Sequence, residues 1–326
     1  MQAKQQINPF PFADDNKRYH TYNYYMKRAF GEKVAKITLN AGFTCPNRDG
    51  TCGTEGCIFC SGRGGGEQTA DATLSIREQY EQQRVRMATK WRACKFIAYF
   101  QSFTNTYAPL CRLRECYEQA LALPGVVGIN IGTRPDCLPD DVIEYLAELS
   151  QKTVLTVELG LQTVHDQTAR EIGRGYPYEI FLDAYRRLRQ KAPRVRIGVH
   201  IIFGLIGEND ENMIETVQRV GALLPDEVKI HLLYVLKDTG MAEMYRNNAY
   251  FPLERARYVS LVVRALEHLP AEVVVARITG DGDKNELIAP LWSRNKRATL
   301  NEIDKSFYTL NTWQGKAFMK NLVNRS

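Results

Sequence analysis

The amino-acid sequence predicts an α/β fold built around a parallel β-sheet. Short apolar runs of strand length alternate with longer runs of helical length along most of the 326 residues, and this alternation is typical of βαβ units. Polar residues gather at the carboxyl ends of the predicted strands, as they do in barrels whose reactive groups lie at one mouth. Six such units in succession fit either a doubly wound sheet or a full or partial barrel.

The predicted elements follow one another in a regular order. The strand patterns span residues 34–39, 95–103, 126–133, 154–161, 195–203, 228–236 and 272–278. The helix patterns span residues 74–91, 109–123, 139–149, 211–224 and 253–269, and a helical pair at 163–191 is broken near Gly173, Gly175 and Pro177. Because parallel strands run in one direction, the carboxyl ends of all these strands are expected on one side, and the crossovers are expected to be right-handed.

The composition is that of an ordinary globular protein. Hydrophobic residues make up 44% and charged residues 25% of the chain, which is enough for one large α/β domain or two average ones. The sequence has no run of about 18 apolar residues and no apolar signal-peptide core, so we expect a cytoplasmic protein without a membrane segment. The net charge of +6 permits an acidic partner such as RNA without showing one.

Four cysteines cluster directly after the first strand. Cys45, Cys52, Cys57 and Cys60 stand in a glycine-rich stretch with few hydrophobic side chains, so we expect a metal or cluster to hold this loop. Three kinds of site fit: zinc with four cysteines, a [4Fe–4S] cluster with four, or a [4Fe–4S] cluster with three cysteines and one open iron. The position at the mouth of a βα series favours a cluster over structural zinc.

Several motifs in this chain resemble one family. Residues 57–60 read CIFC, and eleven residues separate Cys45 from Cys57. This pattern resembles the three-cysteine loop of the radical S-adenosylmethionine (SAM) enzymes. The stretches GFTCPNRDG at 42–50, TGDG at 279–282 and APLW at 289–292 are similar to the YtqA/YhcC branch of that family, which is related to the elongator catalytic subunit.

The resemblance implies a partial (βα)6 TIM-like barrel of the radical SAM type with extensions at both ends. We expect a basic, aromatic N-terminal extension at residues 1–30 and the core barrel at residues 31–270. A C-terminal extension at residues 271–326 is expected to pack on the barrel.

The resemblance also implies the cofactors. Cys45, Cys57 and Cys60 are expected to ligate a [4Fe–4S] cluster, with Cys52 as a bystander. The fourth iron would bind the amino and carboxylate groups of SAM. An electron from an external donor such as flavodoxin or ferredoxin would then split SAM into methionine and a 5′-deoxyadenosyl radical. That radical would remove a hydrogen atom from the substrate inside a closed mouth.

Residues at the strand ends are predicted to bind SAM. Glu158 and Gln162 are assigned to the SAM ribose and amino acid, with a salt bridge inside the barrel as the alternative for Glu158. Gly204 is assigned to the approach of adenine or to a turn. The family's Gly-Gly-Glu motif, which meets the SAM amino group, is missing after the second strand. Its place is taken by Gln101, Ser102 and Asn105. Capping the next helix is their alternative role.

Other charged residues are candidates for the substrate site. Lys237, at the end of the sixth strand, is predicted to bind an anionic substrate group, with a solvated lysine as the alternative. Arg134 and Asp136 are predicted either to act in catalysis or to pair with each other. His200 and His231 are expected to be satisfied core residues rather than ligands.

The leading hypothesis is a radical SAM enzyme that acts on RNA. The resemblance implies maturation of the wobble-uridine side chain of tRNA, from carboxymethylaminomethyl to aminomethyl. Basic and aromatic residues in the N-terminal extension and in the tail from Arg277 to Arg297 suit RNA contacts, with packing on the core or a solvated face as the alternatives. Two other functions stay open: a radical SAM enzyme on a small molecule or peptide, and a non-catalytic zinc or cluster protein that binds nucleic acid.

Overall fold

The computed structural model describes residues 8–66, 69–91, 94–280 and 282–318. The parallel strands of this part of the chain are β1 (Val34–Leu39), β2 (Lys95–Phe100), β3 (Val126–Thr133), β4 (Val154–Gln162), β5 (Arg196–Phe203), β6 (Glu227–Leu232) and β8 (Val274–Arg277). They form one curled sheet in the order β1-β2-β3-β4-β5-β6-β8, which is a half-barrel. An antiparallel pair consists of β7 (Val235–Leu236) and β9 (Leu287–Ala289). The predicted α/β fold and partial barrel are confirmed.

Helices surround this sheet, most of them on its outer face. They are α1 (Tyr22–Phe30), α2 (Ile76–Trp91), α3 (Leu110–Leu121), α4 (Asp140–Leu149), α5 (Asp166–Glu171), α6 (Tyr178–Lys191), α7 (Asp210–Ala222), α8 (Gly240–Arg246), α9 (Arg255–Glu267) and α10 (Lys296–Thr309). In α6 the buried residues follow helical spacing: Phe181, Ala184, Tyr185 and Leu188. Such a stripe turns one side of the helix toward the core.

Two predicted strands end differently in the structure. β2 ends at Phe100, because the chain turns after it and Phe103 adopts a left-handed backbone (φ 60°) that does not fit an extended strand. The pattern at 228–236 divides into β6 and β7: the chain leaves the parallel sheet after Leu232, and Val235 pairs with Ala289 instead. The C-terminal region thus reaches the mouth of the barrel through β9.

Side chains along the strands alternate between the outer core and the barrel interior. In β4, Val157 and Leu159 are buried in the main hydrophobic core, whereas Glu158 faces the interior cavity. His200 in β5 and Lys229 in β6 also face this cavity. The interior of the barrel is therefore polar, unlike the branched aliphatic filling of a closed (βα)8 barrel.

The N-terminal extension closes the open side of the half-barrel between β8 and β1. The backbone N–H of Val275 donates to the carbonyl oxygen of His20 (2.7 Å), and Thr21 forms an isolated parallel bridge with Val275. Tyr19 and His20 are buried. Of the two roles left open for this extension by the sequence, packing on the core applies to these residues.

The division of the chain at residues 30 and 270 stays a prediction. β8 lies beyond residue 270, yet it is the last strand of the parallel sheet. Gln314 joins the two extensions, because its side-chain oxygen accepts the backbone N–H of His20 (2.8 Å). Among the helices described, none combines the length and the apolar character that crossing a membrane requires.

Arg18 offers a test of how the two extensions hold together. Its side chain is buried, and Nη1 donates to Asn311 Oδ1 (3.1 Å) and to the carbonyl oxygen of Phe307 (3.4 Å). We expect Arg18→Ala to lower the free energy of unfolding by about 2 kcal/mol, because buried acceptors lose a charged donor. Urea unfolding followed by circular dichroism measures the change.

The matched control is Arg28→Ala, because Arg28 is exposed on α1. This substitution should change the free energy of unfolding by less than about 0.5 kcal/mol. Equal stability of the two variants would show that Arg18 does not tie the extensions together.

Candidate metal centre and cofactor site

The loops that follow the carboxyl ends of the parallel strands surround one mouth. The cysteine loop after β1 lies at this mouth, and Cys45, Cys57 and Cys60 line a common cavity. Cys52 is exposed and lines surface grooves that contain none of the other three. The structure thus separates Cys52 from the three cysteines predicted as ligands.

Main-chain hydrogen bonds anchor the cysteine loop to neighbouring segments. The N–H of Ile58 donates to the carbonyl oxygen of Ile172 (3.1 Å), and the carbonyl oxygen of Ile58 accepts from Met241 (2.9 Å). The carbonyl oxygen of Gly64 accepts from Phe103 (2.9 Å). These bonds reach the segments after β2, β4 and β7, so the loop is held by the protein itself as well as by any metal.

Asn47 and Arg48 support the loop from within. Asn47 is buried; its Nδ2 donates to the carbonyl oxygen of Gly173 (2.8 Å) and lies 3.5 Å from Cys57 Sγ. Arg48 Nη2 donates to the carbonyl oxygen of Cys60 (3.1 Å). Neither residue has a role predicted from the sequence, although both stand in the GFTCPNRDG motif, which is the signal that marks them.

Arg134 forms a salt bridge with Asp136, which is one of the two alternatives predicted for these residues. Arg134 Nη2 lies 2.6 Å from Asp136 Oδ2, while Nη1 donates to the carbonyl oxygen of Arg174 (3.0 Å) and lies 4.0 Å from Cys45 Sγ. Arg174 is itself buried and donates to the carbonyl oxygen of Leu161 (2.6 Å). The pair brings a fixed positive charge beside Cys45, and a catalytic role for either residue stays a prediction.

The thiols lie in electropositive surroundings. The hydrogen bond from Cys60 lowers the pKa of Cys57 to about 7 against the effect of burial, and the charge of Arg134 adds to this effect. The same hydrogen bond and burial raise the pKa of Cys60. In the described part of the chain, no three His, Cys, Asp or Glu side chains are placed to hold a single metal ion. Three cysteines on one cavity wall, with donors and cations around them, fit an iron–sulfur cluster bound through thiolates.

Glu158 belongs to a buried network inside the barrel. Its Oε1 accepts from the Tyr99 hydroxyl (2.9 Å) and from Lys229 Nζ (2.7 Å), and its Oε2 is buried without a hydrogen-bond partner in the described structure. Burial alone would raise the pKa of Glu158, but the Lys229 ammonium holds it well below its usual range. Burial lowers the pKa of Lys229 to about 8, with Glu158 opposing the shift. The salt bridge therefore occupies one carboxylate oxygen and leaves the other for a ligand.

Two further residues predicted to bind SAM reach the cavity, whereas Ser102 and Asn105 do not. Gln162 lines it with a left-handed backbone (φ 62°), and Gln101 lines it while its Nε2 donates to the carbonyl oxygen of Gly65 (2.7 Å). Ser102 and Asn105 are buried outside the cavity lining, where Asn105 Nδ2 donates to the carbonyl oxygen of Ser102 (3.1 Å). This bond stabilises the turn after β2.

Gly204 and Lys237 are placed as their alternative roles, a turn and a solvated lysine, predict. Gly204 (φ 87°) lies outside the cavity lining and accepts a hydrogen bond from the Tyr250 hydroxyl (2.7 Å). Lys237 is exposed and does not line the cavity. His200 and His231 do line it, and Nε2 of His200 is buried without a partner among the described residues. The expectation of a satisfied core residue is corrected for His200, whereas His231 Nδ1 lies 2.8 Å from the carbonyl oxygen of Leu232. Strand alternation turns both rings toward the interior.

Comparison with known proteins identifies the family. Residues 45–220 match the model of the Radical SAM superfamily, and residues 225–309 match that of the Radical_SAM C-terminal domain. The chain is 47% identical over 315 residues to the uncharacterized protein YtqA of Bacillus subtilis, an alignment that covers 97% of each chain. The chain therefore belongs to the radical SAM superfamily, and its resemblance to the YtqA/YhcC branch is confirmed.

Two more distant similarities are informative. A tRNA uridine(34) acetyltransferase of Methanocaldococcus jannaschii is 27% identical over 158 residues, which are 48% of this chain and 28% of that protein. The solved structure of an Elp3 from Methanocaldococcus infernus aligns with a TM-score of 0.62 and 17% identity, over 84% of this chain and 63% of that chain. The second similarity shows a shared fold. The family uses a [4Fe–4S] cluster and SAM, as predicted.

Single cysteine replacements test the set of ligands. We expect Cys57→Ala to retain little iron and sulfide after anaerobic reconstitution, because one of three thiolates is removed. The matched control, Cys52→Ala, should retain wild-type amounts, since Cys52 is exposed and lies outside the cavity. Iron and acid-labile sulfide per chain are the measured quantities. Loss of the cluster from Cys52→Ala would show that the three-cysteine assignment is wrong.

Gly175→Ala tests the support that Asn47 gives to the loop. A Cβ at Gly175 would lie 2.5 Å from Asn47 Oδ1, so the substitution displaces the amide that bonds Gly173. We expect the reconstituted variant to lose iron to a chelator about tenfold faster, a typical effect of removing support from metal ligands.

The control for this experiment is Gly31→Ala. Gly31 and Gly175 both have a positive φ (77° and 85°), but a Cβ at Gly31 would meet nothing within 4 Å. Both variants therefore carry a backbone strain of about 1 kcal/mol, and only Gly175→Ala disturbs Asn47. Equal rates of iron loss would refute a specific role for the Asn47 contacts.

Proposed function

We propose that this radical SAM enzyme modifies the wobble uridine of tRNA and converts its carboxymethylaminomethyl side chain to aminomethyl. Loss of a hydrogen atom and an electron from the carbon between the amine and the carboxylate gives an imine, and water then cleaves the C–N bond and releases the two-carbon group as glyoxylate. SAM, consumed as methionine and 5′-deoxyadenosine, is the oxidant. The observation that carries the proposal is the partial similarity to a tRNA uridine(34) acetyltransferase, in a chain whose barrel interior is polar. We further propose that the enzyme acts in the cytoplasm and receives electrons from a donor such as flavodoxin or ferredoxin.

The chain's own residues account for binding of the two cofactors. We assign Cys45, Cys57 and Cys60 to the cluster, because they share one cavity wall. Bound together, the cluster and SAM supply the radical that removes a hydrogen atom from the substrate. Arg134 and Asp136 position this wall through the contact of Arg134 with Cys45.

SAM is assigned to the part of the mouth at the end of β4. Glu158 offers a charged oxygen without a partner among the described residues, which suits the ribose hydroxyls or the amino group of SAM. Gln162 and Gln101 line the same cavity and supply amide donors and acceptors. Ser102, Asn105 and Gly204 are assigned only to the loops that shape this site.

Exposed cations at the rim are assigned to the RNA backbone. Lys237 follows Leu236, which lines the mouth. The backbone N–H of Lys237 donates to the carbonyl oxygen of Glu286 (2.9 Å). Arg294 Nη2 donates to the carbonyl oxygen of Lys284 (2.9 Å). Lys237, Lys284 and Arg294 are exposed and belong to one unit around β7 and β9. Positive side chains in such a unit hold phosphates without reading sequence.

Two measurements test the proposal. Protein reconstituted anaerobically with iron and sulfide, then given dithionite and SAM, should form 5′-deoxyadenosine. Mass spectrometry of tRNA nucleosides from a strain that lacks the gene should show carboxymethylaminomethyluridine accumulating and aminomethyluridine disappearing. An unchanged wobble-uridine pattern refutes the tRNA substrate and points to a small molecule or peptide. A colourless protein with one bound zinc ion and no 5′-deoxyadenosine favours a non-catalytic nucleic-acid-binding protein.

A further inference from the structure

The mouth consists of two halves that share a wall. The cysteine half contains Cys45, Cys57 and Glu158. The second half, which we call the β8 half, is lined by the ends of β1, β5, β6 and β8. Cys60 and Lys229 line both halves. The residues assigned to the cluster and SAM lie in the cysteine half or in the shared wall, so the β8 half is left for another ligand beside them.

The β8 half is positively charged. Its described lining residues include two cations, Lys229 and Arg277, and no aspartate or glutamate. Lys229 donates to Tyr99 (2.9 Å) and to Glu158 (2.7 Å), which leaves one of the three ammonium protons for a ligand. Arg277 forms no hydrogen bond or ion pair within the described structure. A half-buried guanidinium without a partner points to an anionic ligand.

Two neutral imidazoles complete the β8 half. His231 Nδ1 lies 2.8 Å from the carbonyl oxygen of Leu232, so Nδ1 carries the proton and Nε2 is an acceptor. Burial lowers the pKa of His231 well below its usual range. Burial, with the charge of Lys229, lowers the pKa of His200 to about 3. Both rings are therefore uncharged at neutral pH, and His231 presents a lone pair rather than a positive charge.

The TGDG motif at residues 279–282 has no role in the proposed function, but the position of Gly280 accounts for its first glycine. Gly280 follows β8 in the TGDG stretch, and a Cβ there would lie 2.4 Å from His231 Nε2. Glycine is therefore required at this position to leave His231 in place. Asp281 of the same motif lies outside the described residues.

We propose that the β8 half binds a carboxylate-bearing secondary amine. Arg277 and the remaining N–H of Lys229 hold the carboxylate, and His231 Nε2 accepts an N–H of the amine. The pairing of a guanidinium with a carboxylate is bidentate and charge-assisted. The proposal rests on the proposed function and deepens it, because a carboxymethylaminomethyl side chain carries both groups. Since the two halves share Cys60 and Lys229, a side chain bound here lies beside the site assigned to SAM.

A phosphate of the RNA backbone is the other source of an anion for these cations. A phosphate carries no amine, so it makes no use of the lone pair on His231. A tRNA without the carboxylate distinguishes the two anions. Its binding is weaker if the subsite holds the side-chain carboxylate, and unchanged if the subsite holds a backbone phosphate. The experiments below separate the two.

Small probes test the subsite without RNA. We expect reconstituted protein to bind N-methylglycine and, more weakly, acetate, as measured by calorimetry. Arg277→Gln should weaken both by about tenfold or more, and Arg277→Lys should weaken them less. His231→Phe keeps the ring contacts with His200 and Tyr234 but removes the acceptor. It should weaken N-methylglycine and leave acetate unchanged.

The control is Lys152→Gln, because Lys152 is exposed and precedes β4 at the opposite end of the barrel. This variant should bind both probes as the wild type does. Absence of N-methylglycine binding to the wild type, or binding unchanged in Arg277→Gln at equal iron content and equal circular dichroism, overturns the proposal.

A second experiment uses tRNA that carries either the carboxymethylaminomethyl or the aminomethyl side chain. The wild type should prefer the first by about tenfold, and Arg277→Gln should lose this preference while binding the second equally well. Formation of 5′-deoxyadenosine without substrate should stay within about twofold of wild type, because the cluster and SAM lie in the other half. Equal weakening of both tRNAs assigns Arg277 to phosphate and overturns the proposal. If the wild type forms no tRNA product at all, the proposed function fails, and the small probes still decide the subsite.

Discussion

Hydrogen bonds from side chains to main-chain carbonyls hold the cysteine loop at the mouth of the barrel. The loop has too few apolar side chains for burial to hold it; the amide of Asn47 instead bonds Gly173, and the guanidinium of Arg48 bonds Cys60. Arg134 and Arg174 in turn hold the segment next to Gly173, through the carbonyl oxygens of Arg174 and Leu161. Charged donors of this kind each contribute about 1.5–3 kcal/mol. The loop is thus set for its ligand by the protein, and the same guanidinium groups bring positive charge to thiols that must bind iron as thiolates.

The barrel interior follows from a second constraint, the pairing of buried charges. A lone ammonium inside the barrel would cost several kcal/mol in lost hydration, and Lys229 avoids this cost because Glu158 and Tyr99 bond it. The pair uses one oxygen of Glu158 and two protons of Lys229. Glu158 lines only the cysteine half, whereas Lys229 lines both halves. One salt bridge therefore stabilises the interior and leaves the described lining of the β8 half with cations and no carboxylate.

The parallel sheet and the position of the cysteine loop at its mouth could be predicted from the sequence, because strand periodicity and cysteine spacing are local signals. The interior positions of Lys229 and His231 could not be predicted. In the run at 228–236 an alternating pattern shows that Lys229 and His231 share a face, but it does not show whether that face is interior or helix-covered. The prediction that Ser102 and Asn105 bind SAM differs from the structure for a related reason. Polar residues after a strand can either bind a ligand or stabilise the turn, and only the backbone at Phe103 shows that the turn applies here.

The N-terminal extension also affects the mouth of the barrel. Its tyrosines suited RNA stacking as well as packing, yet Tyr19 is buried and the backbone at His20 pairs with Val275 of β8. This backbone pairing covers the outer edge of β8, the strand that carries Arg277. Without it, the half-barrel would open to water between β8 and β1, and solvent would weaken the attraction between Arg277 and an anion. The extension therefore acts on the site by excluding water, and in the proposed function the contact with tRNA is left to the exposed cations at the rim.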